Sequence, residues 1–455
     1  MYIVAEMDAE LLQKYDLRVP RYTSYPTAPH FGPRVDGDRY AGWLGALAPD
    51  APLSLYVHIP FCRQLCWFCG CNTRAVNRYT PVAHYIDLLK VEIGRVADAL
   101  GPGRPVRHLH WGGGTPTILR GADFLDLMAF LRDRFAFAAD AEIAVEIDPR
   151  VTTRETVAGL AEGGTTRASI GVQDFDPAVQ AAINRFQSAE TTAEVAGWLR
   201  ADGIRDLNLD LLYGLPRQTA AGVARTMERA LELTPARVAL FGYAHVPWMK
   251  SHQALIDAAT LPDAGQRLAQ FDAAERVLTK AGYVAIGLDH FAAPDDSMAR
   301  ALADGRLRRN FQGYTTDDAP VLIGFGASAI GQLPQGYVQN APDVPAWRAA
   351  LRRGALPVAR GIALDAEDRL RAEVIEALMC AGAADLAAIC ARHGRPATWL
   401  DAELASLAPL VADGIAEIDG ATVRVTDFGR PLLRAVCAAF DAYLAPEETR
   451  HATAV

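Results

Sequence analysis

Short apolar or β-branched runs alternate with longer amphipathic segments between residues 53 and 290. The longer segments, such as TAAGVARTMERALELT, carry apolar residues at three- and four-residue spacing, which is typical of helices. Strands that alternate with helices predict parallel strands joined by right-handed crossovers, and six or seven such units favour a full or partial barrel. The predicted strands are Leu53–His58, Arg107–Trp111, Glu142–Asp148, Arg167–Gln173, Leu207–Tyr213 and Val238–Tyr243, with a possible seventh at Tyr283–Asp289.

Polar and glycine-containing segments follow these predicted strands directly. They read CRQLCWFCGC, GGGTP, the Asp-Pro of EIDPR, QDF and YGLP. In a parallel barrel such segments lie at the carboxyl ends of the strands, where active sites are built. We therefore expect one ring of loops to collect nearly every unusual residue of the chain.

The pattern changes after about residue 365. The segments DAEDRLRAEVIEALMCAGAADLAAICARH and TWLDAELASLAPLVADG indicate helices, and IAEIDGATVRVT indicates two strands around a turn at Asp419-Gly420. This order predicts a small, mainly helical, winged-helix-like domain. Because no basic helix accompanies it, a packing or lid role is favoured over DNA binding. The predicted domains are an N-terminal extension over the active site (1–50), the barrel with extra C-terminal elements (51–360) and the winged-helix-like domain (361–455).

The net charge and the hydropathy of the chain limit the kinds of binding partner that we expect. The net charge of −9 and the pI of about 5.6 give no basic footprint for nucleic acid or an anionic membrane. The N-terminal segment MYIVAEMDAELLQKYDLRVP lacks the basic and apolar regions of a signal peptide. No run approaches the roughly 18 apolar residues that a membrane span requires. We expect a cytoplasmic monomer with no nucleic-acid partner and no membrane span.

The cysteines fall into two groups. Three of the seven, Cys380, Cys390 and Cys437, lie in apolar helical contexts and are interpreted as buried, inert thiols. The other four lie within ten residues, at Cys62, Cys66, Cys69 and Cys71. Seven cysteines this unevenly placed do not indicate a disulfide scaffold.

The spacing Cys62-x3-Cys66-x2-Cys69 places three thiolates on one short loop after a strand. Three thiolate ligands on a four-iron cluster leave one iron free to chelate a small molecule and pass it an electron. A structural zinc site completed by Cys71 or His58 is one alternative, and reactive metal-free thiols are another. The absence of a second Cys-x2-Cys pair in the sequence favours the cluster.

The cysteine loop and the later run Gly112-Gly113-Gly114-Thr115-Pro116 together resemble the radical S-adenosylmethionine superfamily. That resemblance implies that the open iron binds S-adenosylmethionine, whose reductive cleavage yields a 5′-deoxyadenosyl radical. Glycines let backbone approach a ligand closely, which suits this role. The run is neither GxGxxG nor a P-loop.

A closer resemblance extends over essentially the whole chain, to the oxygen-independent coproporphyrinogen III oxidases, also called coproporphyrinogen dehydrogenases. These are oxidoreductases of porphyrin (haem) biosynthesis. The segments that carry it occur in the family's order: PRYTSYPTA, LYVHIPFC, CWFCGCN, HWGGGTPT, EIDPR, GVQDF, DLLYGLP, YAHVP, GLDHFA, NFQGYTT and RGIAL.

The resemblance implies a role for each matching position. Cys62, Cys66 and Cys69 would bind the [4Fe–4S] cluster, whereas Cys71 would be important without being a ligand. Two molecules of S-adenosylmethionine are implied, since the reaction is performed twice. Catalytic roles are assigned to Tyr56, Cys71 and Glu146. The implied contacts to S-adenosylmethionine are Tyr56, Phe68, Gly113, Gly114, Thr115, Glu146, Gln173, Arg185, Asp210, Ala244 and Ile330.

The implied substrate is coproporphyrinogen III, a cyclic tetrapyrrole with four propionates, two of which become vinyl groups in protoporphyrinogen IX. Guanidinium groups bind carboxylates in bidentate fashion, so Arg21, Arg308 and Arg309 are candidates for propionate binding. The resemblance also implies an electron donor such as flavodoxin or ferredoxin.

The chain departs from the family pattern at Trp67, Phe186 and Arg309 without touching an implied contact residue. Two other functions remain open. One is a haem-binding or trafficking protein on the same scaffold, against which Cys71 and the stretch Tyr22–Pro26 argue. The other is a radical enzyme with a different tetrapyrrole reaction, such as methyl transfer with ring opening.

Overall fold

The computed structural model describes residues 11, 14, 15 and 19–444, so the outer parts of the predicted first and last domains, and the start of the N-terminal segment, lie outside the described residues. The strands are β1 Leu53–Ile59, β2 Phe61–Cys62, β3 Arg74–Ala75, β4 Pro105–Gly113, β5 Ala136–Ile147, β6 Arg167–Gln173, β7 Asp206–Tyr213, β8 Arg237–Gly242, β9 Val284–Ile286, β10 His290–Ala292, β11 Arg308–Asn310, β12 Gly313–Thr315, β13 Val321–Phe325, β14 Ile330–Leu333, β15 Gly336–Asn340, β16 Val358–Ala363, β17 Ala383–Asp385, β18 Ala416–Asp419 and β19 Thr422–Val425.

The α-helices pack mainly between consecutive strands. They are α1 Gly37–Gly45, α2 Thr80–Leu100, α3 Gly121–Arg134, α4 Arg154–Glu162, α5 Pro177–Ala182, α6 Ala189–Ala201, α7 Ala220–Leu231, α8 Ala264–Lys280, α9 Ser297–Ala303, α10 Val344–Arg352, α11 Ala366–Ala381, α12 Leu386–Arg392, α13 Asp401–Ser406, α14 Ala408–Ala412 and α15 Leu433–Ala438.

Twelve strands form one sheet in the order β16-β15-β14-β13-β1-β4-β5-β6-β7-β8-β10-β9. The six strands from β1 to β8 in this order are parallel, which confirms the predicted α/β partial barrel. Alternate side chains of β6 are buried and half-buried, so apolar residues face the covering helices while polar residues such as Ser169 face the barrel interior.

The prediction of a seventh parallel strand at residues 283–289 is wrong. Instead, β9 and β10 form an antiparallel hairpin, and β10 also pairs antiparallel with β8. Gly287, with φ +56°, lies in the turn that interrupts the predicted run. The sheet gains a different parallel strand on its other side, where β13 pairs with β1 and Gly324 lies opposite Tyr56.

A buried carboxylate ties α2 to this second side of the sheet. Glu92 Oε2 accepts hydrogen bonds from the Gly326 N–H at 2.8 Å and from Trp347 Nε1 at 2.9 Å, and Asn340 Nδ2 donates to Oε1 at 2.6 Å. Three donors satisfy a group that would otherwise be costly to bury.

The C-terminal segment has the element order of a winged helix, with the sheet order β17-β19-β18. The first predicted helix there is interrupted, because Gly382 ends α11 at φ +66° and β17 then pairs with β19. This segment has its own apolar core, which includes Tyr22 and Tyr25 from the N-terminal part of the chain. Across the described residues, no helix combines the length and the apolar character needed to traverse a bilayer.

Candidate active site

The four clustered cysteines line one cavity of about 410 Å³. The same cavity is lined by residues at the carboxyl ends of the parallel strands, including Gly113 of β4, Glu146 of β5 and Gln173 of β6. The tertiary structure therefore brings together the loops that the sequence predicted to meet. Of the implied contact, ligand and catalytic residues, those that line this cavity are Cys62, Cys66, Phe68, Cys69, Cys71, Gly113, Gly114, Thr115, Glu146, Gln173, Arg185, Asp210 and Ala244.

Hydrogen-bond donors surround two of the sulfur atoms. The Thr115 hydroxyl donates to Cys62 Sγ at 3.3 Å, and Thr73 Oγ1 lies 3.2 Å from the same atom. Arg150 donates to Cys66 Sγ at 3.3 Å, and Arg185 donates to it at 3.6 Å. Donors of this kind stabilise the thiolate form that binds iron.

Cys69 and Cys71 form a close pair at the open side of the loop. A hydrogen bond from the Cys71 thiol lowers the pKa of Cys69 to about 7, although burial opposes the shift. The same hydrogen bond raises the pKa of Cys71. Cys71 is exposed, whereas Cys62 and Cys66 are buried.

The donor set fits an iron–sulfur cluster better than a single metal ion. Among the described residues, no three His, Cys, Asp or Glu side chains converge as one metal ion requires. A four-iron cluster makes no such demand, because each thiolate binds a different iron. Two buried guanidinium nitrogens in the cavity walls, Arg150 Nη1 and Arg185 Nε, have no hydrogen-bond partner, as expected where an anionic group is to be held.

The glycine run forms a close-packed link between β4 and the cysteine loop. Gly113 has φ +116°, and a Cβ there would lie 2.7 Å from the His58 ring. A Cβ on Gly114 would lie 2.3 Å from Thr73 Oγ1, and its N–H donates to the Ile59 carbonyl at 2.8 Å. No larger residue fits at either position, so the run is more than an ordinary turn.

Tyr56 does not line the cavity but lies behind its wall. Its hydroxyl is 3.0 Å from His58 Nδ1, and His58 Nε2 is 2.9 Å from the Asn72 carbonyl. A carbonyl only accepts, so Nε2 carries the proton and Nδ1 accepts from Tyr56. Burial lowers the pKa of His58 and raises the pKa of Tyr56, which keeps both neutral.

Two implied contact residues, Tyr56 and Ile330, are absent from the described cavity lining. Ile330 begins β14, and its carbonyl packs against Gly324, which lies opposite Tyr56 in the sheet. Both residues therefore belong to one region around β1 and β13, next to the cavity.

Asp210 has a raised pKa, and Gln173 has an unusual backbone conformation. Burial raises the pKa of Asp210 to about 6, while hydrogen bonds from the Ser169 hydroxyl at 2.8 Å and Asn208 Nδ2 at 2.7 Å oppose that shift. Gln173 has φ +70°, a strained conformation for a residue with a side chain. Phe68 packs against a small apolar cluster that includes Ile183.

The three arginines predicted to bind propionates do not all lie in one place. Arg21 and Arg309 line a second cavity of about 300 Å³, which shares Arg21, Gly242 and Ala244 with the first. Arg308 does not line it and instead lies 3.5 Å from Glu376, because neighbouring residues of β11 point to opposite faces. Arg308 therefore does not join Arg21 and Arg309 in this cavity.

Of the other departures, Trp67 lies within the cysteine loop and Phe186 follows Arg185. The backbone N–H of Trp67 donates to the Ile183 carbonyl at 3.0 Å, and the Phe186 side chain is 64% exposed. Sequence reasoning missed Arg150 and Thr73, which contact the sulfur atoms. Arg150 stood within the quoted EIDPR segment, and its position beside an aspartate at the end of a strand was a usable signal.

Comparisons with known proteins agree with this geometry. The Radical SAM superfamily model matches residues 56–230, and the HemN C-terminal domain model matches residues 364–432. The oxygen-independent coproporphyrinogen III oxidase of Bradyrhizobium diazoefficiens is 51% identical over 450 residues, covering 99% of this chain and 100% of that protein. The enzyme of the same name from Paracoccus denitrificans is 47% identical and covers 95% of this chain and 96% of its own length.

A solved structure extends the similarity to three dimensions. Coproporphyrinogen III oxidase (HemN) from Escherichia coli, described as a radical SAM enzyme, superposes with a TM-score of 0.90 at 40% identity, over 94% of this chain and 100% of that one. With relatives this similar over nearly their whole length, the chain belongs to the oxygen-independent coproporphyrinogen III oxidase family.

Proposed function

We propose that this chain converts two propionate side chains of coproporphyrinogen III to vinyl groups without oxygen, giving protoporphyrinogen IX in haem biosynthesis. One observation carries the proposal. The cysteine loop and the glycine run line one cavity at the carboxyl ends of the parallel strands, and an arginine-lined cavity adjoins it. A radical-forming site beside a site for a polyanion is what this reaction requires.

Cys62, Cys66 and Cys69 hold the [4Fe–4S] cluster in this proposal. Thr73, Thr115, Arg150 and Arg185 support that role, because they direct donors at the sulfur atoms. When bound, the cluster and S-adenosylmethionine would supply the 5′-deoxyadenosyl radical that removes a β-hydrogen from each of the two reacting propionates.

The surrounding residues bind and orient two molecules of S-adenosylmethionine. Glu146 and Asp210 present carboxylates that accept hydrogen bonds from hydroxyl or ammonium groups. Arg185 holds a carboxylate, and Phe68 packs against an adenine ring. Backbone groups complete the contacts at the remaining positions, which are Gly113, Gly114, Thr115, Gln173, Ala244 and Ile330.

Tyr56, Cys71 and Glu146 are the proposed catalytic residues. The hydrogen bond from Tyr56 to neutral His58 fixes the phenol ring beside Glu146. Cys71 is an exposed thiol next to the proposed cluster ligands. In this proposal it acts on the substrate without binding iron.

In this proposal an electron donor such as flavodoxin or ferredoxin supplies the electron that cleaves S-adenosylmethionine, and an electron acceptor takes up the electron released as each substrate radical loses carbon dioxide. Exposed apolar side chains, including Trp248 and Met249, lie beside the cysteine loop, where Lys250 Nζ donates to the Cys71 carbonyl at 3.0 Å. Exposed apolar side chains beside a lysine suit the docking of a small acidic redox protein. All seven cysteines are free, which suits the reducing cytoplasm.

We further propose that the enzyme acts as a monomer. We also propose that its N-terminal extension covers the active site, because Arg21 donates a hydrogen bond to the Gly242 carbonyl at 3.0 Å.

One anaerobic assay tests the proposed function. The cluster is reconstituted, S-adenosylmethionine, reductant and coproporphyrinogen III are added, and carbon dioxide and the divinyl product are measured. Release of about two carbon dioxide molecules per product is expected from the stoichiometry of two propionates. Cofactor cleavage without decarboxylation would point to another tetrapyrrole reaction, and tight haem binding without turnover to a trafficking protein.

A further inference from the structure

The second cavity carries an excess of positive charge. Four guanidinium groups line it, from Arg21, Arg267, Arg309 and Arg434. Among the described residues that line it, Asp289 is the one acidic side chain, and its carboxylate is already bound to His290 at 2.7 Å. Among these described lining residues, guanidinium groups therefore outnumber carboxylates.

Backbone carbonyls, rather than carboxylates, position three of these arginines. Arg21 donates to the Gly242 carbonyl at 3.0 Å, Arg267 to the Tyr243 carbonyl at 2.9 Å, and Arg309 to the Arg21 carbonyl at 3.1 Å. Arg267 Nε and Arg309 Nη1 are buried and have no hydrogen-bond partner. Buried donors without partners are costly, so a ligand that accepts from them is expected.

Arg434 comes from α15 in the C-terminal segment and donates to the Val19 carbonyl at 3.4 Å. Burial, followed by the nearby charge of Arg21, lowers the pKa of Arg434 to about 10. Like charges therefore lie close together around this cavity. The remaining wall is largely apolar and aromatic, with Tyr213, Trp248 and Phe271.

The two cavities adjoin each other. Arg21, Gly242, Tyr243, Ala244 and Val246 line both of them, so a ligand held by the arginines lies next to the cavity of the cysteine loop. An apolar ring carrying several carboxylates matches both the aromatic wall and the guanidinium groups.

We propose that this cavity binds the propionates of the tetrapyrrole that do not react, and that Arg267 and Arg434 anchor them together with Arg21 and Arg309. The inference rests on the proposed function and names residues that determine its substrate. The non-reacting propionates keep their charge from substrate to product. Guanidinium groups that hold them can therefore retain the ring while each of the other two propionates is processed beside the cluster.

Arg267→Gln and Arg434→Gln test this inference in the anaerobically reconstituted holoenzyme, with Arg308→Gln as the matched control. Arg308 adjoins Arg309 in β11 but lies outside the cavity. Loss of one charged hydrogen-bond donor predicts about a tenfold rise in KM for coproporphyrinogen III and in Kd for the unreactive coproporphyrin III. The control should stay within about twofold, and cofactor cleavage without substrate should be unchanged in all three. Unchanged KM and Kd in both cavity variants would overturn the inference.

A second measurement needs no variant. Wild-type enzyme should bind coproporphyrin III at least about tenfold more tightly than its neutral tetra-amide, because only the carboxylates pair with guanidinium groups. Equal affinities would contradict the inference even if a variant failed to fold. Arginine-dependent binding without decarboxylation by the wild type would leave this site intact while the proposed function failed. Decarboxylation together with equal affinities for coproporphyrin III and its tetra-amide would support the proposed function and overturn the inference about this cavity.

Discussion

Glu146 accepts a hydrogen bond from the backbone N–H of Gly113 at 3.1 Å, which joins the end of β5 to the glycine run that ends β4. His110 Nε2 lies 3.2 Å from the other oxygen of the same carboxylate. Both oxygens of Glu146 are therefore oriented by protein groups, so the carboxylate faces the cavity in a fixed position. This preorganisation reduces the conformational entropy lost when a ligand binds.

Glu146→Gln should weaken S-adenosylmethionine binding without loss of the cluster. An amide oxygen still accepts from Gly113, but the second oxygen is replaced by an amide donor and the negative charge is lost. We expect KM for S-adenosylmethionine to rise about tenfold, as for one charged hydrogen bond. Steady-state kinetics with iron quantification would check this. An unchanged KM would remove Glu146 from the binding site.

The raised pKa of Asp210 predicts a pH-dependent affinity for S-adenosylmethionine. Only the ionised carboxylate accepts several hydrogen bonds at once, and its fraction rises as pH increases through about 6. KM for S-adenosylmethionine should therefore fall severalfold between about pH 5 and pH 7. In Asp210→Asn this dependence should disappear. A pH profile that is the same in the variant and the wild type would contradict the assignment.

Individual cysteine substitutions should separate the ligands from Cys71. Serine at position 62, 66 or 69 removes a soft thiolate, so iron content and visible absorbance should fall to near background. Cys71→Ser serves as the control, because it should keep the cluster and lose turnover. If Cys71→Ser lost iron as the other three do, the interpretation with one open iron would be wrong.

Thr73→Val should shift the potential of the cluster while sparing its assembly. Thr73 Oγ1 is 3.2 Å from Cys62 Sγ, and hydrogen bonds to cluster sulfurs raise the reduction potential. We therefore expect a more negative potential in the valine variant, measured by a redox titration followed by electron paramagnetic resonance. Thr73→Ser keeps the hydroxyl and should behave as the wild type. A potential that is the same in both variants would exclude this hydrogen bond as a determinant.

Glu92 should make stability pH-dependent. Burial raises its pKa from 4.5 to about 7, so the folded state holds the proton more tightly than the unfolded chain. Its contribution to stability is therefore fully present below about pH 4.5 and is lost as pH rises through about 7. A shift of this size corresponds to about 3 kcal/mol.

Glu92→Gln removes this titration. The free energy of unfolding of the wild type should fall by about 3 kcal/mol relative to the variant between about pH 4.5 and pH 8. Urea denaturation at a series of pH values would measure the difference. Parallel curves for the two proteins would show that Glu92 does not titrate in this range.

The sequence by itself determined the features that depend on local spacing. The cysteine loop, the glycine run and the six parallel strands all follow from patterns within a few residues, because side-chain periodicity and ligand spacing are local properties. The same limit explains the seventh strand. An apolar run at residues 283–289 is consistent with a strand, but the turn at Gly287 and the hairpin pairing depend on β8.

Only the tertiary structure decided which distant charges meet. Arg267 and Arg434 lie far apart in the chain, and no motif links them, yet both line the cavity with Arg21. Their proximity depends on how the C-terminal segment packs against the barrel and the N-terminal residues. The same packing separates Arg309 from Arg308, because adjacent strand residues face opposite sides and only contacts with other elements set which side is the cavity.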